Sequence, residues 1–169
     1  MSRIPKKLPP CAIHMLARPN WFADPGVVSR ARLAVAGWLP RFLSSHRFAG
    51  TEIAAITLGH TIYFRKLELY NPHTLKGLAL LAHELKHVEQ FEREGARQFY
   101  SNYFSEYRKH GYSEEITLEA EAYVFERRIF AHLLKEFKHN AGRPLCWDQT
   151  GPHTPNVEFV QTPINVANA

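Results

Sequence analysis

The sequence predicts an α+β fold, mainly helical, with a small β-hairpin ahead of its longest helix, and three observations carry that expectation. Residues Glu52 to Leu58 and Thr61 to Lys66 flank a Gly59-His60 turn, and Ile62 and Phe64 alternate with Tyr63 and Arg65 as in a strand with one face on a core. From Leu75 to Val88 the chain carries Leu75, Leu78, Ala79, Leu80, Leu81, Ala82, Leu85 and Val88, apolar on nearly every face, the mark of a buried helix. Two more helical stretches follow, separated by Gly95 and by His110-Gly111.

Taken in order, residues 1–25 contain five prolines and are expected to form an irregular basic arm, anchored by Trp21 and Phe22. A helix is expected from Val27 to Leu39, ended by Pro40. After the hairpin, Asn71 is the expected cap of the long helix and Pro72 its first residue, with an end at Arg93 and a stop at Gly95. The next helix, Ala96 to Lys109, bears Phe99, Tyr100, Tyr103, Phe104 and Tyr107, a stripe read as a packing surface. Ser113 is the expected cap of the last helix, which has Glu114 and Glu115 in its first turn and continues to Lys138. With 169 residues, 45% of them hydrophobic, one core is the expectation: a single domain over residues 26–139 and an extended or disordered proline-bearing tail over 140–169.

Charge is uneven along the chain. Residues 1–47 hold eight Lys or Arg and one acid, Asp24, for a net of +7, while the remainder carries a net of −2. This segment suits an acidic partner, although a solvated surface is the preferred reading and a nucleic acid is disfavoured for want of interleaved aromatics. Cys11 and Cys146 lie near opposite ends and suggest neither a disulfide framework nor a thiolate metal site. No signal peptide or transmembrane run is read, so a cytoplasmic location is expected by default; export by a dedicated secretion system would leave no such mark.

The chemistry concentrates in His83-Glu84-Leu85-Lys86-His87, an H-E-x-x-H pattern. On a helix the two histidines lie one turn apart and about 40° around the axis, so both can reach one metal ion. Glu84, about 60° from His87, is placed to take a proton from a water rather than to bind the ion. The competing reading is a pair of histidines hydrogen-bonded inside the core. A catalytic zinc site commonly takes three protein ligands, which leaves one to find. In the last helix Leu118, Ala122, Tyr123, Phe125, Ile129, Phe130 and Leu133 share one arc; Glu119 falls inside it and Glu121 outside, beside Arg128. Glu119 is thus the candidate third ligand, with Glu126 in reserve or supporting a ligand. The alternative for Glu119 is a buried ion pair with Arg97 or Arg127.

The stretches Ala55 to Phe64, Leu80 to Gln90 and Glu119-Ala-Glu-Ala-Tyr123 together resemble a minimal gluzincin metallopeptidase domain. They are similar to the small zincin-like domain of bacterial secreted effectors and contractile injection systems, whose core has the pattern L-L-A-H-E-x-x-H-V-x-Q. In related gluzincins such as the CAAX prenyl endopeptidases, the ligand is the first Glu of E-x-x-A-D, which implies Glu119 here. The departure is Tyr123, where those peptidases have an acid that supports a histidine ligand.

The expected function is zinc-dependent hydrolysis of a peptide or protein substrate, with one Zn2+ per chain on His83, His87 and Glu119, and Glu84 as the proton acceptor. The strand over residues 61–66 is the expected edge for an extended substrate, and Tyr107, His110, Tyr112 and Tyr123 are candidate oxyanion donors by residue type. The rival from another class is a catalytically silent, metal-stabilised binding or delivery module.

Overall fold

A computed structural model describes residues 6–36, 54–65, 71–72, 74–110 and 115–139. Its elements are β1 (Lys6–Lys7), α1 (Pro10–Leu16), α2 (Gly26–Arg30), β2 (Arg32–Val35), β3 (Ala55–Leu58), β4 (Thr61–Phe64), α3 (Leu75–Glu94), α4 (Ala96–His110) and α5 (Thr117–His139). The mainly helical α+β class is as expected, with a four-stranded sheet in the order β1-β2-β4-β3. No helix among the described residues is long and apolar enough to cross a membrane.

The hairpin forms where the alternation placed it. Ala55 pairs with Phe64 and Leu58 with Thr61 across a two-residue turn, and Gly59 at its tip has φ +60°, a conformation that costs a side-chain-bearing residue energy. Ile62 and Phe64 point into the core as expected. The expected edge is corrected, however: β4 is an inner strand, bonded to β3 on one side and to β2, in parallel, on the other. The strand with an open side among the described residues and α3 beside it is β3.

β2 also overturns the helix expected from Val27 to Leu39. Of its described part, residues 27–36, only the stretch to Arg30 is helical, as the end of Gly26–Arg30; the chain then extends and Arg32–Val35 align with Thr61–Phe64. The pairing partner lies some thirty residues away, so no local pattern announces it, and it outweighs a helical propensity worth only tenths of a kcal/mol per residue. The irregular arm is corrected in the same way. Pro9 and Pro10 open α1, where a missing N–H costs nothing, and Leu8, Ala12, Met15, Leu16 and Phe22 join the main core. Cys11, in α1, is disulfide-bonded, which the cysteine spacing had not suggested. The expected cap at Ser113 and the tail over 140–169 lie outside the described residues.

α3 is the spine of the molecule. Its cap is Thr74 rather than Asn71: the Thr74 hydroxyl accepts from the Gly77 N–H at 3.0 Å, a contact worth about 1 kcal/mol. Asn71 instead turns its carbonyl over the first turn, so close that a Cβ on Gly77 would sit 2.0 Å from it. Leu78, Leu81, Leu85 and Val88 of α3 are fully buried, and each contributes about 1.5–3 kcal/mol of burial. α5 lies along α3 and supplies Phe125, Ile129 and Leu133 to the same core. Gly95, at φ +76°, ends α3 and lets α4 turn away, as expected.

Arginines of the basic N-terminal segment bind within the chain. Arg18 forks onto Glu136 of α5, with Nη2 at 2.9 Å from Oε2, and lies over the Trp21 ring. Arg30 joins Asp24 at 2.7 Å and Glu92 of α3 at 2.6 Å.

Candidate metal centre

α3 and α5 together build one buried polar cluster from His83, His87 and Glu119. Nε2 of His83 lies 3.2 Å from Nε2 of His87, and Oε2 of Glu119 lies 3.3 Å from the first and 3.5 Å from the second. These are the donor–donor spacings of a tetrahedral shell with bonds of about 2.0–2.1 Å, whose edge is about 3.3 Å. The helical turn sets the His83–His87 distance; the inward arc of α5 brings Glu119 to it, as the sequence expected. Arg97 and Arg127 are not its partners in the cluster.

Hydrogen bonds on the far side of each imidazole fix which nitrogen faces inward. Nδ1 of His83 lies 3.0 Å from Oε2 of Glu126, which can only accept, so Nδ1 donates. Nδ1 of His87 lies 2.7 Å from Oε1 of Gln90. The Gln90 amide nitrogen donates to Leu118 O at 2.9 Å and Glu121 Oε2 at 3.0 Å, so the amide cannot be turned around and Nδ1 of His87 also donates. With both Nδ1 protons directed outward, both Nε2 atoms converge on Oε2 of Glu119. That oxygen is buried and receives no hydrogen bond among the described residues. Three electron-rich atoms meeting in a buried pocket need a positive charge between them, which a proton or a metal ion supplies. Two imidazoles and one carboxylate oxygen are a donor set that zinc accepts.

A proton on His83 can also serve as the positive charge among these donors. Burial works against a charge on His83, yet its contacts with Glu119 and Glu126 raise its pKa to about 10. Burial likewise opposes the Glu119 carboxylate, but the charge of His87 and contact with His83 hold it well below the usual carboxylate range.

Glu84 points from the same helix toward β3. Thr57 donates its hydroxyl to Oε2 of Glu84 at 2.7 Å and lies 3.2 Å from the Glu84 carbonyl oxygen. The Glu84 carboxylate is buried, takes no part in the three-donor cluster, and is near enough for its charge to act on both His83 and Tyr103. Tyr103, from α4, donates to Oε1 of Glu119 at 3.1 Å; burial and the Glu119 charge keep that phenol protonated far above its ordinary range.

The remaining expectations divide. Tyr123, where an acid was missing, packs edge-on against His83 with ring centroids 4.7 Å apart, and Glu126, one turn further along α5, supplies the carboxylate. Of the candidate oxyanion donors, His110 is exposed and bonded to Glu115 at 2.9 Å, Tyr107 stacks on Tyr103, and Tyr112 lies outside the described residues. The sequence assigns Thr57 and Gln90 no role in the site, and Tyr103 only one in packing. Gln90 has a signal, an amide one turn beyond His87 on the buried side of the helix; Thr57 and Tyr103 depend on contacts between distant segments.

Glu121 lies outside the three-donor group. It gathers Arg93 at 3.1 Å, Lys86 at 2.9 Å and the Gln90 amide, and these hold its pKa down to about 2. A carboxylate whose folded pKa is depressed stabilises the fold above its unfolded value, near 4.5, and loses that contribution as the pH falls toward 2. Glu121→Gln is therefore expected to flatten the acid side of the Tm–pH curve between these values. An unaltered acid side would show that this half-exposed cluster contributes nothing to stability.

A family model described as the eCIS core domain matches residues 44–95, which links this part of the chain to contractile injection systems. The matched stretch includes β3, β4 and all of α3, and so His83, Glu84 and His87; Glu119 lies beyond it. No curated protein and no solved structure matches the chain.

Proposed function

We propose that the chain is a zinc-dependent metallopeptidase of the gluzincin type. One observation carries this reading: beside three donors at tetrahedral spacing stands a fourth ionisable group, Glu84, buried, not a donor, and held in place by Thr57. A structural metal site has no need of that carboxylate, whereas hydrolysis needs a base within reach of the attacking water.

His83, His87 and Glu119 would hold Zn2+, which when bound supplies a Lewis acid that polarises a carbonyl and makes a water acidic near neutral pH. Glu84 takes the proton from the water as its oxygen attacks the scissile carbonyl carbon, and delivers it to the leaving amine as the C–N bond breaks. Thr57 holds the carboxylate in one orientation through its 2.7 Å bond. The side of β3 left open among the described residues offers backbone N–H and C=O groups with which an extended peptide can pair.

The match to the eCIS core domain favours a second reading, a metal-stabilised module for binding or delivery without turnover. The two are separated by incubating zinc-loaded protein with denatured proteins and a peptide pool. Cleavage that chelator abolishes and zinc restores is the expected result. One zinc per chain without cleavage across the pool would leave the module reading in possession.

A further inference from the structure

α4 joins the molecule differently from α3 and α5. Phe99 is its one buried residue, and it packs in a separate cluster with Ile116 and Leu118, flanked by Phe91, Tyr100, Tyr103 and Tyr107. Within that cluster the Tyr103 ring is stacked between Phe99, 6.4 Å away at 17°, and Tyr107, 6.1 Å away at 12°. Near-parallel rings one turn away on either side along α4 limit the ring to small displacements, so its hydroxyl is aimed rather than free. It is aimed at Glu119, donating to Oε1 at 3.1 Å, while Oε2 of the same carboxylate faces the two Nε2 atoms at 3.3 and 3.5 Å.

The carboxylate is thus divided between two tasks. A glutamate can bind a metal through one oxygen or through both, and in the second case it takes up a coordination position that a catalytic site must leave open for water. We propose, on the reading of His83, His87 and Glu119 as the metal ligands, that Tyr103 is a positioning residue: it occupies Oε1 of Glu119, confines metal binding to Oε2, and ties the coordination number of the centre to the placement of α4. The second consequence follows from the architecture. α4 holds Tyr103 through an aromatic cluster separate from the main core, so a shift of α4 would release Oε1 while Phe125, Ile129 and Leu133 of α5 keep their packing on α3.

The test uses the full chain, titrated with Zn2+ and Co2+ as wild type, Tyr103→Phe and Tyr100→Phe. Tyr100 is the control: it loses the same oxygen from the same helix, but its hydroxyl accepts from the Gly59 N–H at 3.1 Å and not from the metal cluster. Tyr103→Phe is expected to weaken zinc binding about tenfold or more. Its cobalt form should absorb more weakly in the visible, because the freed oxygen raises the coordination number; Tyr100→Phe should match wild type in both respects. Equal affinity and spectra for Tyr103→Phe and wild type would overturn the proposal alone, as would an equal loss in Tyr100→Phe, which would assign the effect to the packing of α4. A wild-type protein that takes up neither metal overturns both this proposal and the metal-centre reading. The wild-type cobalt spectrum is a check that needs no variant to fold: the strong absorption of a four-coordinate ion is expected, and the weak absorption of a higher-coordinate one overturns the proposal.

Discussion

Glu119→Ala is expected to abolish stoichiometric zinc uptake, whereas Glu121→Ala keeps one zinc per chain. Both residues sit at the start of α5, two positions apart, and both are carboxylates close to α3, so the pair isolates geometry from charge. Oε2 of Glu119 completes the triangle with the two Nε2 atoms, while Glu121 reaches the centre only through Gln90 and otherwise binds Arg93 and Lys86. Without Glu119, two imidazoles from one helical turn remain, short of the three protein ligands that a catalytic zinc site commonly uses. The difference is also legible in stability, because a metal that binds the folded state alone stabilises it. At free zinc a thousandfold above Kd the gain is about 4 kcal/mol. At about 2–4 °C per kcal/mol for a chain of this size, the wild-type Tm should rise by about 10 °C, and that of Glu119→Ala by almost nothing. Metal analysis of the purified proteins and thermal melts with and without zinc measure both effects. If Glu119→Ala bound zinc as tightly as wild type, Glu119 would not be a ligand, and Glu126, on the Nδ1 side of His83, would be the carboxylate to examine next.

The parts of this site that could be read from sequence are those fixed by one helix at a time. His83 and His87 converge because they share a turn of α3, and Glu119 was identified because it interrupts the apolar arc of α5; both are periodicities of about 3.6 residues. Gly95 was legible as a stop because a positive φ suits glycine. What escaped depends on which segments meet. Thr57 reaches Glu84 only because β3 lies against α3, and Tyr103 reaches Glu119 only because α4 folds back after Gly95. Tyr103 belonged to a stripe read as packing, and it does pack; its hydroxyl has a second role that no spacing announces. Glu126, by contrast, is legible as a reserve or supporting carboxylate, because it lies on the same stripe of α5 as Glu119, and it meets Nδ1 of His83. β2 was misread for the same reason: its parallel partner β4 follows after an intervening hairpin strand, and a short Val- and Ala-rich run looks helical until that partner is present.

Glu84→Gln should leave the metal in place and remove the activity. The substitution preserves size and shape in a position only 4% exposed, and the Thr57 hydroxyl can donate to an amide oxygen as it does to the carboxylate. None of the three donor atoms is touched, so zinc content and the zinc-dependent rise in Tm should equal those of wild type. The amide, however, cannot accept a proton from water near neutral pH, nor deliver one to the departing amine. General acid–base groups of this kind contribute about 10²–10⁴-fold, and cleavage of any substrate found for the wild type should fall by at least that factor. Two other results would be informative in opposite directions. Full activity in Glu84→Gln would remove Glu84 from the mechanism and require another base near the three donors. Loss of zinc together with activity would make Glu84 part of the metal site, and the separation of roles on which the peptidase reading stands, three donors on one side and a proton carrier held by Thr57 on the other, would no longer hold.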